Sequence, residues 1–253
     1  MIFTHIFLIL LSIVIPSHAA AESTIPDSIL IQTFHEDIAG DGYKETIELK
    51  GTLFSDDTNY YRDIGIDVSN KFGKEWKISY GGGYEPELQF LDLNHDGVKD
   101  VFYQSATGGS GGLYNYQLHT FKGDKLEEIP LPEQPVSGEF QDNFKAMIKL
   151  TPTSEEQSID VSERKTEYIE LGIYDESGKL IQPKSLMIDP IAYFDPILVN
   201  KNKGYGLKSY QQISGAYHAD QLGTIETLWF YEDDNWIILQ TKWLPTPSPQ
   251  PPS

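Results

Sequence analysis

The chain has no cysteine. That excludes a disulfide scaffold, thiol catalysis and cysteine-ligated zinc, and leaves packing and bound ions to stabilise the fold. Positive charge is scarce as well. Nineteen Lys and Arg stand against 38 Asp and Glu, for a formal net charge of -19. Such a surface repels phosphate backbones, so no nucleic-acid partner is expected, and cations or basic surfaces suit it better. Solubility is the plain alternative use of that charge. Beyond the N-terminus no apolar run is long enough to cross a bilayer. The hydrophobic content, 39% with 12% aromatic, still suffices for a core and argues against wholesale disorder. At 253 residues the chain can form one large or two small domains.

The apolar run from Ile2 to Ile15 is followed by Pro16 and small residues. Ser17-His18-Ala19 and Ala19-Ala20-Ala21 are small-x-small cleavage sites, so residues 1–21 read as a secretory signal peptide. The segment before the run has no Lys or Arg, and an uncleaved anchor is the alternative. The expected product is extracellular or held at the cell surface. At the other end "PTPSPQPPS", residues 245–253, cannot pair in a sheet and reads as a disordered Pro-rich tail.

Between these ends the dominant period is two. Ile64, Ile66 and Val68 alternate with Gly65 and Asp67, and Trp76, Ile78 and Tyr80 with Lys77 and Ser79. This is the pattern of antiparallel strands with one face inward. "NKFGKEW", "FKGDKL", "YDESGKL" and "YEDDNWI" read as hairpin turns. "SLMIDPIAYFDPILVN" is apolar, but Pro190 and Pro196 are expected to break it, with room for one helical turn. The fold is therefore expected to be mainly β, built from antiparallel four-stranded meander units. They form either a small propeller-like assembly or two β-rich lobes, over 24–135 and 144–244, divided at "PLPEQPVSGEFQD".

An internal repeat supports the unit. "DIAGDGYKE" begins at Asp37 and "DLNHDGVKD" at Asp92, 55 positions later, each between two strand-like stretches. In the second loop Asp92, Asn94 and Asp96 fall at positions one, three and five. Gly97 permits a sharp turn, Val98 at seven offers a carbonyl, and Asp100 at nine can close a cage of oxygens. A hard cation such as Ca²⁺ needs such a set. Tyr103, not a glutamate, stands at position twelve, so the loop is not an EF-hand. A hydrated Asp/Asn/Gly turn is the competing reading. The first loop offers Asp37, Asp41, the Tyr43 carbonyl and Glu45, but Ala39 stands where an oxygen is required.

The pattern D-x-N-x-D-G-x-x-D between strands resembles the calcium loops of FG-GAP and VCBS repeats of integrin-type propellers. The resemblance covers roughly residues 30–130 and implies ligation by Asp92, Asn94, Asp96 and Asp100 with the Val98 carbonyl. The whole chain also resembles a group of secreted proteins of Gram-positive bacteria that share the stretches "GGSGGLYNY" and "GYGLKSYQQISGAYHADQLGTIE". That likeness implies export and no particular activity.

Catalytic signals are sparse. "GGSGG", Gly108 to Gly112, matches G-x-S-x-G formally, but a strand-like stretch follows where an α/β-hydrolase has a helix. His218 and Asp220 with Glu226 are the candidates for an acid/base site, with a surface ion pair as the bland alternative. Tyr205, Tyr210, Gln211, Gln212 and Tyr217 read first as a half-exposed strand pair, and they could also contact a glycan or protein, because rings stack on apolar faces and amides bond hydroxyls. Two functions follow. One is a non-catalytic, calcium-stabilised binding module facing a protein or glycan of the cell envelope. The other is a secreted envelope hydrolase with its site around His218.

Overall fold

The computed structural model describes residues 28–246. The segment read as a signal peptide and most of the Pro-rich tail lie outside the described residues. The fold is mainly antiparallel β, with a four-stranded meander and no closed barrel.

The first seven strands form one sheet in chain order: β1 (Ile29–Glu36), β2 (Glu45–Leu53), β3 (Tyr61–Ser69), β4 (Glu75–Leu91), β5 (Asp100–Ala106), β6 (Tyr114–Thr120) and β7 (Glu127–Glu128). β4 is 17 residues long and serves two meanders. Its first half pairs with β3, from Ser69↔Glu75 to Tyr61↔Gly83. Its second half pairs with β5, from Tyr84↔Ala106 to Leu91↔Asp100. Between the halves lies "YGGGYEP", where Gly81 (φ 80°) and Glu85 (φ 48°) take left-handed backbone and let the strand bend. The 55-residue repeat is thus structural. β1, loop and β2 recur as the second half of β4, loop and β5, with strand ends at Glu36 and Leu91 and restarts at Glu45 and Asp100.

Alternation fills the core of this lobe. Ile47, Leu49, Ile64, Ile66, Val68, Val101 and Tyr103 are all at most 2% exposed, and they pack as one cluster. All four segments read as turns lie at chain reversals. They centre on Gly73, on Lys122–Asp124, on Asp175–Lys179, and on Asp233 and Asp234.

The second half begins with β8 (Ser137–Gln141), β9 (Lys145–Lys149) and β10 (Glu156–Asp160), in the order β10-β9-β8. β8 lies inside the stretch read as a boundary loop, because Phe140 is drawn into the core at 2% exposure. A six-residue helix, α1 (Lys165–Glu170), follows and is too short to show a period; it buries Tyr168. Then β11 (Met187–Asn200), β12 (Gly204–Ser214), β13 (Gln221–Glu232) and β14 (Asn235–Pro245) form a meander in chain order. Pro190 and Pro196 do not break their segment. It is β11, an edge strand, where a missing N–H facing outward costs no ladder bond. Pro190 sits in a register shift between Ile188 and Ile191.

A third cluster joins the lobes. Leu93, Phe102, Leu118 and Ile129 from the first pack on Ile191, Phe194, Leu207 and Trp229 from the second. Tyr116 donates to the Ile191 carbonyl at 3.1 Å and Trp236 to that of Pro130 at 2.8 Å.

Candidate functional site

The two acidic loops are built alike. In the second, the Asp92 carboxylate accepts the amides of Asp96 and Gly97, each at 3.1 Å, and Asp96 Oδ1 accepts that of Val98 at 2.9 Å. Asp100 Oδ2 accepts the amides of Leu93 (2.9 Å) and Asn94 (3.1 Å). In the first loop Asp37 accepts from Gly40 (2.8 Å) and Gly42 (2.9 Å), and Asp41 from Tyr43 (2.8 Å). Glu45 Oε2 accepts from Ile38 (3.0 Å) and Ala39 (3.1 Å). In each loop the first carboxylate closes the turn, the middle one caps the exit, and the last one, at the start of the next strand, holds the entry. The aspartates serve here because a short acceptor reaches amides two to five residues on.

The loops also touch. A β-carbon at Gly40 would lie 2.6 Å from Val98 Cγ2, and Lys99 Nζ pairs with Glu36 at 2.8 Å. The second residue of each loop is a plug: Ile38 and Leu93 are both fully buried. His95 takes left-handed backbone (φ 61°) and stacks on Phe230 at 4.3 Å, docking the second loop on the second lobe.

Asp100 is the electrostatic anomaly. It is fully buried, and its Oδ1 has no hydrogen-bond partner. Burial pushes its carboxyl up to about 7; the two amides pull the other way, and Asp96 and Asp92 add repulsion. Glu45, 1% exposed, is raised for the same first reason. The donors present, carboxylate, amide and carbonyl oxygens, are the kind a hard cation takes. As they stand they face the loop's own amides. Among the described residues no three His, Asp or Glu side chains are grouped to hold a metal ion. Lys122, which the sequence did not single out, supplies a cation instead. Its Nζ donates to the Asp96 carbonyl at 2.7 Å and lies 3.6 Å from Asp96 Oδ2. In the first loop the Ala39 carbonyl is taken by the Gly123 amide at 2.9 Å, and Tyr43 is half exposed.

The three acid/base candidates do not meet. Asp220 is buried and holds Arg164 Nε at 2.7 Å, the Tyr168 hydroxyl at 2.5 Å and the Ala216 amide at 2.8 Å. It is a strut that fixes α1 to the 215–220 loop, and its oxygens are spent there. Glu226 faces Lys208 (3.6 Å) and Lys242 (3.9 Å) across the sheet. The partner of His218 is Asp189, with Nδ1 and Oδ1 3.0 Å apart. Asp189 sits in the bulge around Pro190, 29 positions upstream, where an aspartate interrupts an apolar strand. That interruption was the only signal for it.

His218 and Asp189 line a cleft of about 290 Å³ at the seam between the lobes. Its other wall is the glycine-rich β5–β6 loop, where a β-carbon at Gly111 would lie 3.3 Å from His218 Nε2. Strands flank that loop on both sides, so it is not a strand-to-helix nucleophile turn. Tyr210 also lines the cleft and stacks on Tyr193 at 4.6 Å. Gln212 donates to the His218 carbonyl at 2.8 Å, and Gln211 to that of Asp189 at 2.8 Å. Tyr217 turns away to Glu167, and Tyr205 packs in the joint between lobes.

No helix among the described residues is long and apolar enough to cross a membrane. A family model described as the YybI C-terminal domain matches residues 134–244. The chain is 27% identical over 209 residues to the uncharacterised protein YybI of Bacillus subtilis strain 168, a match covering 79% of each. Among solved structures, a rhamnogalacturonan lyase PL11 of Bacillus licheniformis aligns with a TM-score of 0.39 at 14% identity, over 85% of this chain and 34% of that one. The rhamnogalacturonan lyase YesW aligns at 0.35 and 15%, with the same coverage. The chain spans about a third of the length of those two structures, and likeness at this level carries no argument about fold or activity. What stands is similarity to YybI, with the family match confined to the second lobe.

Proposed function

We propose that the protein is a secreted, non-catalytic β-sheet binding module of the cell envelope, whose 92–100 loop takes up Ca²⁺. The observation that carries this reading is the buried, unpartnered Oδ1 of Asp100 at the end of an oxygen-rich turn. A buried carboxylate with one oxygen unpartnered is costly, and a cation in the loop removes that cost. Ligation by Asp92, Asn94, Asp96 and Asp100 requires their oxygens to turn from the loop amides to the ion and the Lys122 ammonium to leave. The resemblance to FG-GAP and VCBS loops and the leader-like N-terminus favour the same reading. The first loop, lacking an oxygen at Ala39, is the weaker site. Extracellular modules bind calcium with dissociation constants of about 10⁻⁴–10⁻³ M, so millimolar calcium adds on the order of 1 kcal/mol. For a protein of this size that is a rise of about 2–4 °C in the melting midpoint. Melts in calcium and in chelator test it, with Asp96→Asn as control. An unchanged wild-type midpoint would falsify occupancy of the loop.

A second reading, an envelope hydrolase, draws on the His218–Asp189 pair, since a carboxylate on Nδ1 fixes the imidazole as a base. Release of reducing ends or peptide from envelope preparations, abolished in His218→Ala, is its expected signature. No release from any preparation removes it.

A further inference from the structure

We propose that the seam cleft lined by Tyr193, Tyr210 and His218 is a binding site for an uncharged sugar unit of a glycan. The proposal rests on the binding-module reading but not on calcium.

The cleft is a place where hydroxyl groups are wanted. The side chain of Asp189 is only 12% exposed, and its Oδ2 is buried with no donor in reach. Its Oδ1 is occupied by His218 Nδ1, which leaves Nε2 facing the Gly111 side of the cleft. When the carboxylate fixes the proton on Nδ1, Nε2 is an acceptor. His218 Nε2 is thus the acceptor offered to a ligand O–H donor, and the buried Asp189 behind it holds the ring in place.

The apolar half of the site matches the other face of a sugar ring. Tyr193 and Tyr210 stack at 4.6 Å with 23° between planes, and Tyr114 lies 5.9 Å from Tyr193. Tyr193 is 37% exposed, so the platform is open to a ligand. Burial and the nearby Asp195 and Glu226 hold both phenols above their ordinary value, so they stay neutral donors. Opposite, Gly111 and Gly112 bring bare backbone to the edge of the cleft, and nothing lies within 4 Å of the place where a Gly112 β-carbon would sit. At about 30 Å³ per water, 290 Å³ corresponds to roughly ten waters, space enough for one sugar ring.

Charge narrows the class. Asp189 lines the cleft, Asp195 and Glu226 lie near its tyrosines, and the formal net charge is -19. Uronic acids, phosphates and sulfated sugars are therefore repelled, and neutral hexoses or their N-acetyl forms are favoured.

Affinity electrophoresis in native gels tests this. The probes are hydroxyethylcellulose, a galactomannan and glycol chitin, which carries N-acetyl sugars, as neutral polymers, with polygalacturonate as the anionic one. The expected result is retardation in at least one neutral gel, reduced at least fivefold in Tyr210→Ala and in Gly111→Val. The valine crowds the cleft and presses on His218 Nε2, and equal melting midpoints show that each variant folds. Absence of retardation in all three neutral gels overturns the proposal. So does retardation that survives both variants, or retardation by polygalacturonate alone. Running the gels in calcium and in chelator separates the two readings. Sugar binding that persists where calcium leaves the midpoint unmoved sinks the calcium loop and leaves the cleft standing. A calcium-dependent midpoint without retardation does the reverse.

Discussion

Replacing Asp100 with asparagine should stabilise the calcium-free protein, and by an amount that grows with pH. The carboxyl is fully buried, keeps one oxygen without a partner, and has its ordinary value of 3.8 raised to about 7. A carboxyl raised on folding binds its proton more tightly in the folded state. Stability from this group therefore falls as pH rises from about 3.8 to about 7 and is level above that. About three pH units at 1.36 kcal/mol each is on the order of 4 kcal/mol. The sequence isoelectric point is near 4.5, which makes pH 4 impractical. From pH 5.5 to 8 the expected change is about 2 kcal/mol. Other groups titrate nearby. His95 and His119, lowered by burial, make stability rise with pH below about 6.5. Asp67 and Glu36, lowered by their lysine partners, lose their contribution only below about 4.5. The wild-type profile alone is thus ambiguous, and the difference between wild type and Asp100→Asn isolates the carboxyl. Asparagine keeps an oxygen for the Leu93 and Asn94 amides and carries no charge. Urea titrations in chelator at pH 5.5, 6.5, 7.5 and 8.5 measure the difference. A difference flat with pH, or a variant less stable than wild type at pH 8.5, refutes the claim that Asp100 is held at a cost.

Lys122→Met removes the ammonium that sits on Asp96; with a half-exposed lysine the stability loss should stay under about 1 kcal/mol, while terbium luminescence should report tighter ion uptake. Unchanged or weaker uptake would show that Lys122 does not compete for the loop. Asp220→Ala takes the acceptor from the buried Tyr168 hydroxyl and from Arg164 Nε, leaving Arg164 only the Gln221 carbonyl, and should cost about 1.5–3 kcal/mol in urea denaturation. A cost below about 1 kcal/mol would contradict its role as a strut. Leu93→Ala empties a fully buried site between the lobes and should cost about 2–5 kcal/mol by the same assay. A near-neutral result there would mean that the joint is not tightly packed.

The meander units were legible because their signals are local. Alternating Ile64, Ile66 and Val68 and the turns at Gly73 and Asp234 each depend on residues within a few positions, and the 55-residue repeat needs only self-comparison. What failed were readings in which sequence neighbours stood in for spatial ones. Asp220 is two residues from His218, yet a tight turn sends it inward to Arg164 while His218 points to Asp189 on another strand. Pro190 and Pro196 signalled a break only because their strand was not known to be an edge. β8 was hidden in a Pro-rich stretch whose Phe140 finds its core from sequence-distant Tyr168 and Tyr174. In the acidic loop the residue types and spacing were plain, but the direction of the oxygens was not, because amides two to five residues away compete for them.

The two loops share a construction and differ in what they seal. Ile38 closes the core of the first lobe alone, whereas Leu93 enters the cluster that joins both lobes. His95 extends the same difference, since its ring lies on Phe230 of the second lobe, and a β-carbon at Gly204 would lie 3.3 Å from its Nδ1. An ion that stiffens the first loop would act within one sheet. An ion that stiffens the second would act on the joint, because the backbone it orders carries Leu93 and His95 directly into that joint. The sugar cleft lies along the same seam, with one wall from each lobe. Any change in how the lobes meet alters the spacing of Gly111 and His218 and with it the shape of the cleft. If the 92–100 loop takes up calcium as proposed, the ion would act on the cleft through the joint, without any contact between ion and ligand.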